Sequence, residues 1–591
     1  MTYVVATAGH VDHGKSTLVR ALTGMEPDRL EDERRRGLSI ELGYAWTSWP
    51  GTGEVAFVDV PGHRRFVRTT LAGLGPIPVV IFVVAADEGW LPQSAEHLAA
   101  LDALGVRHGV LVITKTDLAD PARASAEARR ALAPTTLAGM GEVRVCARDG
   151  VGLDALVAAL ARVLAELPVP DPSAPVRLWV DRSFSVIGAG QVITGTLPAG
   201  RIGVGDALVT ASGAEVRVRG VESLGRPVDQ VCGTARVALN VRVRGPAGRA
   251  GRIDRGTAVV APGSYVMTTV LDVVLSGAAD VHSGTAVLHI GSAAVACSAR
   301  PLGPRHVRLT LAEPVPLHVG DRALVRDPGR PGALVGVTVL DVCPPALAGR
   351  GAAVHRAGEL AGLGSRADVA ARLLATGPRS TADLLAMGLP PEGGVEVAPG
   401  WRVAPQRWRE LGRALHAMIT TAVDRDPFAA PTPVGSVSAQ LELPDPALVA
   451  PLAAEAGLRV EHGAVRPAAG EPSLPAVVGA ALDQLDAWFE RHPYQAPPAD
   501  RLVALGLDER ALAAAAREGL VLRLGPRLVL VAGADASAYE HLARLPAPFR
   551  VTEVCAALGT TRRTAVPLLE LLDRTGRTRR SPDGRRTLLR R

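Results

Sequence analysis

Lysine occurs at only two of the 591 positions, and each lysine lies in a nucleotide-binding motif. Lys15 belongs to Gly9–Ser16, which fits the phosphate-binding pattern G-x-x-x-x-G-K-[ST] and therefore requires a strand before it and a helix after it. Lys115 belongs to Thr114–Asp117, which is close to the guanine-reading pattern N-K-x-D. All other basic side chains except histidine are arginine. Two lysines placed by chance would therefore rarely fall in both motifs. The pair predicts a guanine-nucleotide-binding α/β domain.

The hydrophobic pattern up to about residue 168 alternates between strands and helices. A helix is predicted over Ser16–Thr23, and strands over Val55–Val60, Val79–Ala86 and Val110–Thr114. This alternation is typical of a parallel sheet with crossover helices. The proline-rich segment Leu167–Pro175 would be the linker that ends this P-loop domain.

The rest of the chain shows two further sequence patterns. Short Val- and Leu-rich alternations broken by glycine predict two β-barrels that divide near Pro262. Beyond Gly349, helices followed by short hairpins recur about every 60 residues, which indicates tandem winged-helix modules of the α+β class. The predicted domains are the P-loop domain at 1–170, barrels at 171–262 and 263–345, and winged helices at 350–425, 426–473, 474–535 and 536–591.

Composition excludes several classes of protein. The five cysteines show no CxxC pairing and indicate reduced thiols rather than a disulfide frame or a zinc site. The chain begins directly with a strand pattern, which leaves no room for a signal peptide, and its longest apolar run is too short to span a bilayer. We therefore expect a cytoplasmic protein with no membrane partner.

The first domain carries the residues that phosphate chemistry needs. Backbone N–H groups of a glycine-rich loop and the helix N-terminus bind phosphates, and Lys15 would contact the β- and γ-phosphates. The Ser16 hydroxyl and the Asp59 carboxylate would hold Mg²⁺, with Ser39 as a third oxygen ligand when GTP is bound. Asp59–Gly62 matches the pattern D-x-x-G, and the Gly62 amide would sense the γ-phosphate.

The base would be read at a second place. Asp117 would accept two hydrogen bonds from the guanine edge, which adenine does not offer, and Cys146–Arg148 would make the last guanine contact. The predicted nucleotide-binding set is Gly9, His10, Val11, Asp12, His13, Gly14, Lys15, Ser16, Thr17, Asp59, Gly62, Thr114, Lys115, Asp117, Cys146, Ala147 and Arg148.

His63 is the predicted catalytic residue. It directly follows the D-x-x-G pattern, where a histidine or glutamine side chain can orient the attacking water. A surface histidine without a role is the alternative for any single histidine. The position beside this motif favours the catalytic interpretation.

In their order, the motifs G-H-V-D-H-G-K-S, R-G-L-S-I, D-V-P-G-H and T-K-T-D resemble those of translational GTPases of the elongation factor Tu type. In that family two β-barrels follow the GTPase domain. Two positions depart from its usual motifs. Ser39 replaces threonine and keeps the hydroxyl, whereas Thr114 replaces asparagine and puts the support of the guanine site in question.

Within this family the chain resembles the bacterial selenocysteine-specific elongation factors. T-K-x-D, Leu42–Ala45, Leu71–Gly73 and a C-terminal extension of winged helices carry that resemblance. It implies GTP or GDP and Mg²⁺ as ligands, and selenocysteyl-tRNA, a messenger RNA hairpin and the ribosome as partners of a monomeric protein. It also implies that Val11 and Leu38 form an apolar gate around the attacking water.

The resemblance places a selenocysteine pocket on the first barrel. A selenol is far more acidic than the hydroxyl of serine, so at neutral pH it is an anion that arginine can pair with. Arg182 and Arg236 would bind it, and Asp181 would orient an arginine and make neutral serine a poor substitute. An Asp181–Arg182 ion pair at a strand edge is the alternative interpretation.

The C-terminal end is strongly basic. Residues 550–591 contain eleven arginines and four acidic residues, a net charge of +7 compared with +6 for the whole chain. A helix that begins after Gly559-Thr560 with two arginines in its first turn resembles a recognition helix, with a wing near Asp583. The predicted RNA-binding residues are Arg550, Arg562, Arg563, Arg577, Arg579 and Arg580. A solvated arginine-rich tail is the alternative.

The function implied is a GTPase that carries selenocysteyl-tRNA to the ribosome at UGA codons while its C-terminal modules hold the messenger hairpin. GTP hydrolysis triggered on the ribosome would release the tRNA. Two alternatives remain open: a general aminoacyl- or initiator-tRNA carrier, which needs no arginine pocket or winged tail, and a winged-helix nucleic-acid-binding regulator with a GTP switch, which needs no barrels.

Overall fold

A computed structural model describes residues 2–27, 39, 41–63, 66–75, 77–188, 190–245, 251–277, 281–329, 334–363, 366–426, 428, 430–467 and 474–589. The chain forms two compact units. The first comprises residues 1–373 and 380–393, and the second comprises residues 374–379 and 394–591. No helix in the described ranges is long and apolar enough to cross a membrane.

The first unit begins with a six-stranded sheet. Its strands are β1 (Thr2–Gly9), β2 (Gly43–Trp49), β3 (Gly53–Asp59), β4 (Val79–Ala85), β5 (His108–Thr114) and β6 (Gly141–Arg144). Its helices are α1 (Lys15–Thr23), α2 (Val67–Leu74), α3 (Pro92–Leu104), α4 (Ala122–Leu132) and α5 (Leu153–Ala165). The spatial order is β2-β3-β1-β4-β5-β6.

The prediction of a parallel sheet is wrong for one edge strand. β2 pairs antiparallel with β3, whereas the other strands of this sheet pair in parallel. The reason is the short turn between Trp49 and Gly53, since a parallel connection needs a crossover of a dozen or more residues.

Both faces of the sheet are buried, which explains the continuous apolar strand β4. Val80, Phe82 and Val84 face the core that includes α3 and α4, while Ile81 and Val83 face the core of α1 and α5. Because strand side chains alternate between faces, a strand covered on both sides needs apolar residues at every position.

Two β-barrels follow, as predicted. The first contains β7 (Arg177–Val186), β8 (Gly190–Leu197), β9 (Arg201–Gly203), β10 (Ala207–Thr210), β11 (Glu215–Ser223), β12 (Arg226–Val228), β13 (Gln230–Cys232), β14 (Ala235–Arg244) and β15 (Ala258–Val260). A pairing of β10 with β11 closes the ring β10-β15-β7-β8-β14-β11.

The second barrel is closed in the order β16-β19-β18-β17-β20-β21. Its strands are β16 (Val266–Leu275), β17 (Gly284–Ile290), β18 (Ala293–Pro301), β19 (His306–Leu317), β20 (Arg322–Arg326) and β21 (Leu334–Asp341).

The next helix, α6 (Ala352–Leu360), is joined to this barrel by buried charges. Asp272 is fully buried and accepts hydrogen bonds from Arg308 on β19 and from Arg356 on α6.

The C-terminal part is built from helices and short hairpins. Its helices are α7 (Arg366–Thr376), α8 (Thr381–Ala386), α9 (Pro405–Arg425), α10 (Val434–Gln440), α11 (Val449–Glu455), α12 (Ala476–Phe489), α13 (Ala499–Ala504), α14 (Glu509–Arg517), α15 (Ala534–Leu542), α16 (Val551–Ala557) and α17 (Arg562–Arg574). Its strands are β22 (Arg379–Ser380), β23 (Val395–Ala398), β24 (Trp401–Val403), β25 (Thr432–Pro433), β26 (Leu458–Glu461), β27 (Ala464–Pro467), β28 (Val521–Gly525), β29 (Leu528–Val531), β30 (Thr578–Arg580) and β31 (Arg586–Leu588).

The second unit contains several hydrophobic cores, each formed by helices and a hairpin. One core joins α9 to α11 and the β26–β27 hairpin, a second joins α12 to α14, and a third joins α15 to α17. Leu411, Leu415 and Ile419 of α9 therefore pack with the segment that follows α9. The last module, with α16, α17 and the β30–β31 hairpin, has the order of elements of a winged helix.

Helix α3 holds the loop that follows β1. Gln93 and His97 lie one turn apart on the same face of α3, and both are buried. The Val11 N–H donates to Gln93 Oε1 at 3.0 Å, and the Gly9 N–H donates to His97 Nδ1 at 3.1 Å. His97 must be neutral to accept this bond. Burial, with the positive charge of Lys15 adding to it, lowers the pKa of His97 to about 3.

This neutral histidine predicts a loss of stability in acid. An unfolded histidine has a pKa of about 6.5, so the unfolded chain binds one more proton than the folded chain between that pH and the folded-state pKa. The free energy of unfolding should fall by up to about 1.4 kcal/mol per pH unit as the pH drops through this window. Hydrogen-exchange protection of the β1 amides at pH 7 and pH 5 measures the effect.

The matched variant is His97→Gln, which keeps an acceptor but does not titrate. We expect the free energy derived from its protection to depend on pH less steeply than that of the wild type. The difference in slope should correspond to the uptake of about one proton on unfolding. Equal pH dependence in the two proteins would show that His97 does not carry the effect.

Candidate nucleotide site and arginine pocket

The phosphate-binding loop joins β1 to α1 through three residues in the left-handed region. Gly9 has φ 134°, Asp12 has φ 61° and Gly14 has φ 85°. A Cβ atom at Gly9 would lie 2.2 Å from the Val83 oxygen of the neighbouring strand, so the position has no room for a side chain. The local sequence therefore dictates the tight loop that the motif predicts.

Lys15 lies inside this loop. Its Nζ donates to the main-chain oxygens of Gly9 at 3.1 Å and His10 at 2.7 Å, and the residue is 7% exposed. Gly62 packs closely against the loop, since a Cβ atom there would lie 2.8 Å from Lys15 Nζ and 2.5 Å from the Val11 nitrogen. The two motif residues that should meet the terminal phosphate are thus adjacent.

The predicted metal ligands also converge. Ser16 Oγ donates to Asp59 Oδ2 at 2.5 Å and lies 3.1 Å from Ser39 Oγ. Asp59 is fully buried, and its other oxygen accepts a hydrogen bond from Thr7 Oγ1 at 2.6 Å. Two hydroxyls and one carboxylate in contact form an all-oxygen set of the kind that Mg²⁺ uses, so these residues fit the ion.

Thr114 supports the phosphate-binding loop. Its hydroxyl donates to the His13 main-chain oxygen at 2.7 Å, and the residue is 3% exposed. The threonine that stands in place of the usual asparagine therefore still joins the base-reading segment to the loop. The neighbouring Lys115 has φ 54° and pairs with Asp87 at 3.1 Å and Glu88 at 3.4 Å.

The predicted base-reading residues lie together at the ends of β5 and β6. Side-chain ligand atoms of Asp117, Cys146 and Asp149 lie within 4.8 Å of one another. Cys146 is buried and its thiol donates to Asp149 Oδ2 at 3.2 Å, while Asp117 and Arg148 are exposed. Two exposed carboxylates, those of Asp117 and Asp149, thus lie beside the Cys146–Arg148 turn, and Asp117 is the one predicted to read guanine.

His63 lies directly after Gly62 and is partly exposed. Its ring is 6.0 Å from that of Phe66. Val11, in the phosphate-binding loop, lies against Gly62, whereas Leu38, the other residue of the predicted gate, lies outside the described residues, as do Arg34–Gly37 and Ile40. Thr17 is in the first turn of α1 and is exposed.

The sequence interpretation missed three residues of this site: Thr7, Gln93 and His97. Thr7 binds the Asp59 carboxylate, and the other two hold the amides of the phosphate-binding loop. A pair of polar residues four positions apart, and so on one face of helix α3, was the available signal for Gln93 and His97. Thr7 gave no signal, because a threonine within a strand is common.

The residues of the predicted arginine pocket come together on the first barrel. Asp181 on β7 and Arg236 on β14 form a buried ion pair, in which Arg236 Nη2 donates to Asp181 Oδ1 at 3.2 Å and Arg236 Nη1 bonds Asp181 Oδ2. Thr194 Oγ1 donates to Asp181 at 2.6 Å, and Thr196 Oγ1 accepts from Arg236 at 3.2 Å. Asp181 thus orients Arg236.

Arg182 does not pair with Asp181, so the structure does not contain the strand-edge pair of the alternative interpretation. Its Nη2 lies 3.3 Å from Glu41 Oε2 and donates to the Leu42 main-chain oxygen. Arg182 and Arg236 both line a cavity of about 250 Å³, together with Tyr44 and Thr194. Two cations on one cavity can bind an anionic group.

The basic C-terminal surface lies on the last module. Arg562 and Arg563 occupy the exposed first turn of α17, and Arg579 and Arg580 are exposed on β30. Arg550 is exposed as well, whereas Arg577 pairs with Asp535 at 3.0 Å and braces the start of α15. Buried Arg586 pairs with Asp573 at 2.9 Å and fixes the second hairpin strand to α17.

Comparisons with known proteins agree with this geometry. Residues 2–166 match the family model of the elongation factor Tu GTP-binding domain, and residues 540–587 match the model of the elongation factor SelB winged helix. A crystal structure of a bacterial selenocysteine-specific elongation factor superposes with a TM-score of 0.73 at 25% sequence identity, and each chain is covered completely.

Two curated relatives are similar to part of the chain. The selenocysteine-specific elongation factor of Escherichia coli is 34% identical over 355 residues, which cover 58% of this chain and 56% of that protein. The γ subunit of translation initiation factor 2 from Thermococcus kodakarensis is 31% identical over 36% of this chain and 60% of its own length. The chain thus matches little more than half the length of these relatives. Residues 2–166 thus form a GTP-binding domain of the elongation factor Tu type, and the chain resembles a bacterial selenocysteine-specific elongation factor along its whole fold.

Proposed function

We propose that this protein carries selenocysteyl-tRNA to the ribosome at UGA codons, bound with GTP, while its last winged helix holds a hairpin of the messenger RNA. The observation that carries the proposal is the joint presence of an oriented arginine pair on the first barrel and the nucleotide-binding motifs in the same compact unit. The exposed arginines of α17 supply the second RNA contact.

GTP would bind along the phosphate-binding loop, with Lys15 turned from its main-chain partners towards the phosphates. Asp117 would accept hydrogen bonds from the guanine edge. Ser16, Ser39 and Asp59 would hold Mg²⁺, which neutralises phosphate charge when it is bound. Because Asp59 is fixed by Thr7, the site needs little rearrangement to present its carboxylate.

Hydrolysis would depend on His63. His63 follows Gly62, which packs on Val11 and Lys15, so the imidazole would lie near the end of the phosphate-binding loop. From there it can orient a water for attack on the γ-phosphate. The ribosome would bring His63 into this arrangement, so that release of the tRNA follows decoding.

The arginine pocket would select the amino acid. A selenolate is an anion at neutral pH and would enter the cavity between Arg182 and Arg236, whereas the neutral hydroxyl of serine would add no negative charge to balance the two cations. A site built for a charged group rejects its neutral analogue because the buried polar groups are left unpaired. A general aminoacyl- or initiator-tRNA carrier has no need of this pair, although the γ subunit of initiation factor 2 is similar to 36% of this chain.

Two RNA contacts in one chain would act together. Binding of the messenger hairpin at the last winged helix would raise the effective concentration of the tRNA carrier near the UGA codon. This avidity explains why barrels and winged helices occur in one protein.

Thr114→Val tests the hydrogen bond from Thr114 to the phosphate-binding loop. The substitution keeps the shape of the side chain but leaves the buried His13 oxygen without its donor, which costs about 1–3 kcal/mol. We expect GTP and GDP affinities to fall together by about 5- to 150-fold, measured by equilibrium binding of fluorescent nucleotides. Thr116→Val, two residues along the same loop, is the control, and an equal loss there would contradict the assignment.

Hydrolysis of the aminoacyl ester tests the proposed cargo. Selenocysteyl-tRNA and seryl-tRNA with the same tRNA body are incubated with the protein and GTP or GDP. We expect protection of the selenocysteine ester alone, only with GTP, and loss of that protection in Arg236→Met, because the oriented cation is removed. Equal protection of both esters would move the specificity to the tRNA body, and protection of neither would favour a nucleic-acid-binding regulator.

Salt dependence tests the hairpin contact. For the double variant Arg562→Gln/Arg563→Gln we expect weaker binding of the messenger hairpin. The slope of the logarithm of the binding constant against the logarithm of salt concentration should become smaller by about two, because each lost phosphate contact removes about one unit. Arg574→Gln, exposed at the other end of α17, is the control. An unchanged slope in the double variant would assign the contact to another surface.

A further inference from the structure

The base-reading turn that follows β5 contains a residue in an unusual conformation. Lys115 has φ 54°, in the left-handed region that residues other than glycine rarely adopt unless the surrounding structure holds them there. The Leu118 N–H donates to the Lys115 main-chain oxygen at 3.0 Å and closes the turn that contains Asp117. The position of Asp117 therefore depends on what holds Lys115.

Two neighbouring carboxylates bind the side chain of Lys115. Its Nζ lies 3.1 Å from Asp87 Oδ2 and 3.4 Å from Glu88 Oε1, and the three side chains are between 25% and 39% exposed. Partial burial alone would lower the pKa of the Lys115 ammonium, but the hydrogen bonds and charges of the two carboxylates outweigh burial and raise this pKa. The lysine is thus a charged group that is held from the loop after β4.

Helix α4 fixes the loop that presents these carboxylates. Arg123 Nη2 donates to the Asp87 main-chain oxygen at 3.3 Å, and the Trp90 N–H donates to Glu127 Oε2 at 2.9 Å. Gly89 has φ 75°, and a Cβ atom there would lie 2.4 Å from Glu127 Oε2. The two carboxylates are therefore carried by a backbone that is itself held in place.

Glu88 also contacts the phosphate-binding loop. Its Oε2 lies 3.5 Å from Nε2 of His13, which is fully buried. Burial lowers the pKa of His13 to about 4, so this imidazole is neutral at pH 7. Thr114 has a single hydroxyl donor, which it gives to the main-chain oxygen of the same histidine, so the Lys115 ammonium needs other partners.

We propose that Asp87 and Glu88 are positioning residues of the base-reading turn. By binding the Lys115 ammonium they hold the turn that carries Asp117, and so contribute to the selection of guanine nucleotides. This inference rests on the proposed guanine contact of Asp117 and deepens it, because it names the groups that orient the carboxylate. Neither positioning residue needs to touch the nucleotide in order to act.

The consequence for specificity follows from the hydrogen bonds that guanine offers. Asp117 would accept from two N–H groups of the guanine edge, one of which belongs to the 2-amino group that inosine lacks. Two bonds to one carboxylate require a fixed direction, so a turn that relaxes weakens the second bond while the phosphates stay bound. Loss of the supporting carboxylates should therefore weaken the binding of GDP more than the binding of inosine diphosphate.

The first experiment needs no nucleotide. Hydrogen exchange of the Leu118 amide, measured in the full chain freed of nucleotide, reports the opening of the turn. Asp87→Asn/Glu88→Gln should speed this exchange by about two- to thirtyfold, the range for two partly exposed ion pairs. Glu142→Gln is the matched control, because it removes a carboxylate that pairs with two arginines but lies beside Leu111, away from the turn. It should leave the exchange of this amide unchanged.

The second experiment measures base selection. Dissociation constants of GDP and inosine diphosphate are determined for the full chain, and their ratio is compared among variants. Asp87→Asn/Glu88→Gln should lower the preference for GDP by about two- to tenfold, whereas Glu142→Gln should leave it unchanged. In a Lys115→Met background the same two substitutions should have no further effect, since the ammonium that they hold is gone. A general loss of stability would weaken the binding of both nucleotides equally.

The possible outcomes are distinct. An unchanged GDP preference in Asp87→Asn/Glu88→Gln overturns the proposal, as does an equal change in Glu142→Gln or an effect that persists in Lys115→Met. If Lys115→Met binds too weakly to measure, Lys115→Arg replaces it, and there the two substitutions should again lower the preference because arginine keeps the cation. If the wild type does not distinguish GDP from inosine diphosphate, the proposed guanine contact fails, while the exchange of the Leu118 amide still decides whether the carboxylates hold the turn.

Discussion

The buried carboxylate of Asp59 is the constraint on which the nucleotide site depends. A charge without solvent must be compensated by hydrogen bonds, and Thr7 and Ser16 supply them from β1 and α1. Those two elements meet only if the loop between them is tight, which in turn requires the left-handed glycines. The loop, the predicted metal ligands and the D-x-x-G segment are therefore parts of one arrangement.

Polar side chains from distant segments complete that arrangement. Thr114 holds the loop from β5, and Gln93 and His97 hold its amides from α3. The arginine pocket uses the same principle, since Asp181 orients Arg236 across two strands and Glu41 reaches Arg182 from the P-loop domain. In both places a neighbouring side chain fixes the orientation of a candidate binding group, and such preorganisation would reduce the ordering cost of binding a ligand.

Sequence reasoning predicted the local features well and the non-local ones poorly. The strand–loop–helix at Lys15, the two barrels and the recognition-type helix α17 follow from motifs and periodicity that lie within a few residues. The antiparallel edge strand β2, the packing of α9 with the following segment and the contact of Tyr44 with two arginines depend on which distant elements meet. No period or spacing in the chain encodes these contacts, so they became visible only in the fold.

The charged network at Asp272 has a consequence for where this protein can be divided. Arg308 and Arg356 reach the same buried carboxylate from β19 and α6, and Arg356 also bonds Asp341 at the end of β21. A fragment that ends directly after the last barrel strand would lack Arg356, one of the two cations that pair with Asp272. It would also lack Leu360, and the apolar barrel residues that Leu360 covers would be exposed. Helix α6 thus contributes to the stability of the barrel, and a fragment meant to fold alone has to retain that helix.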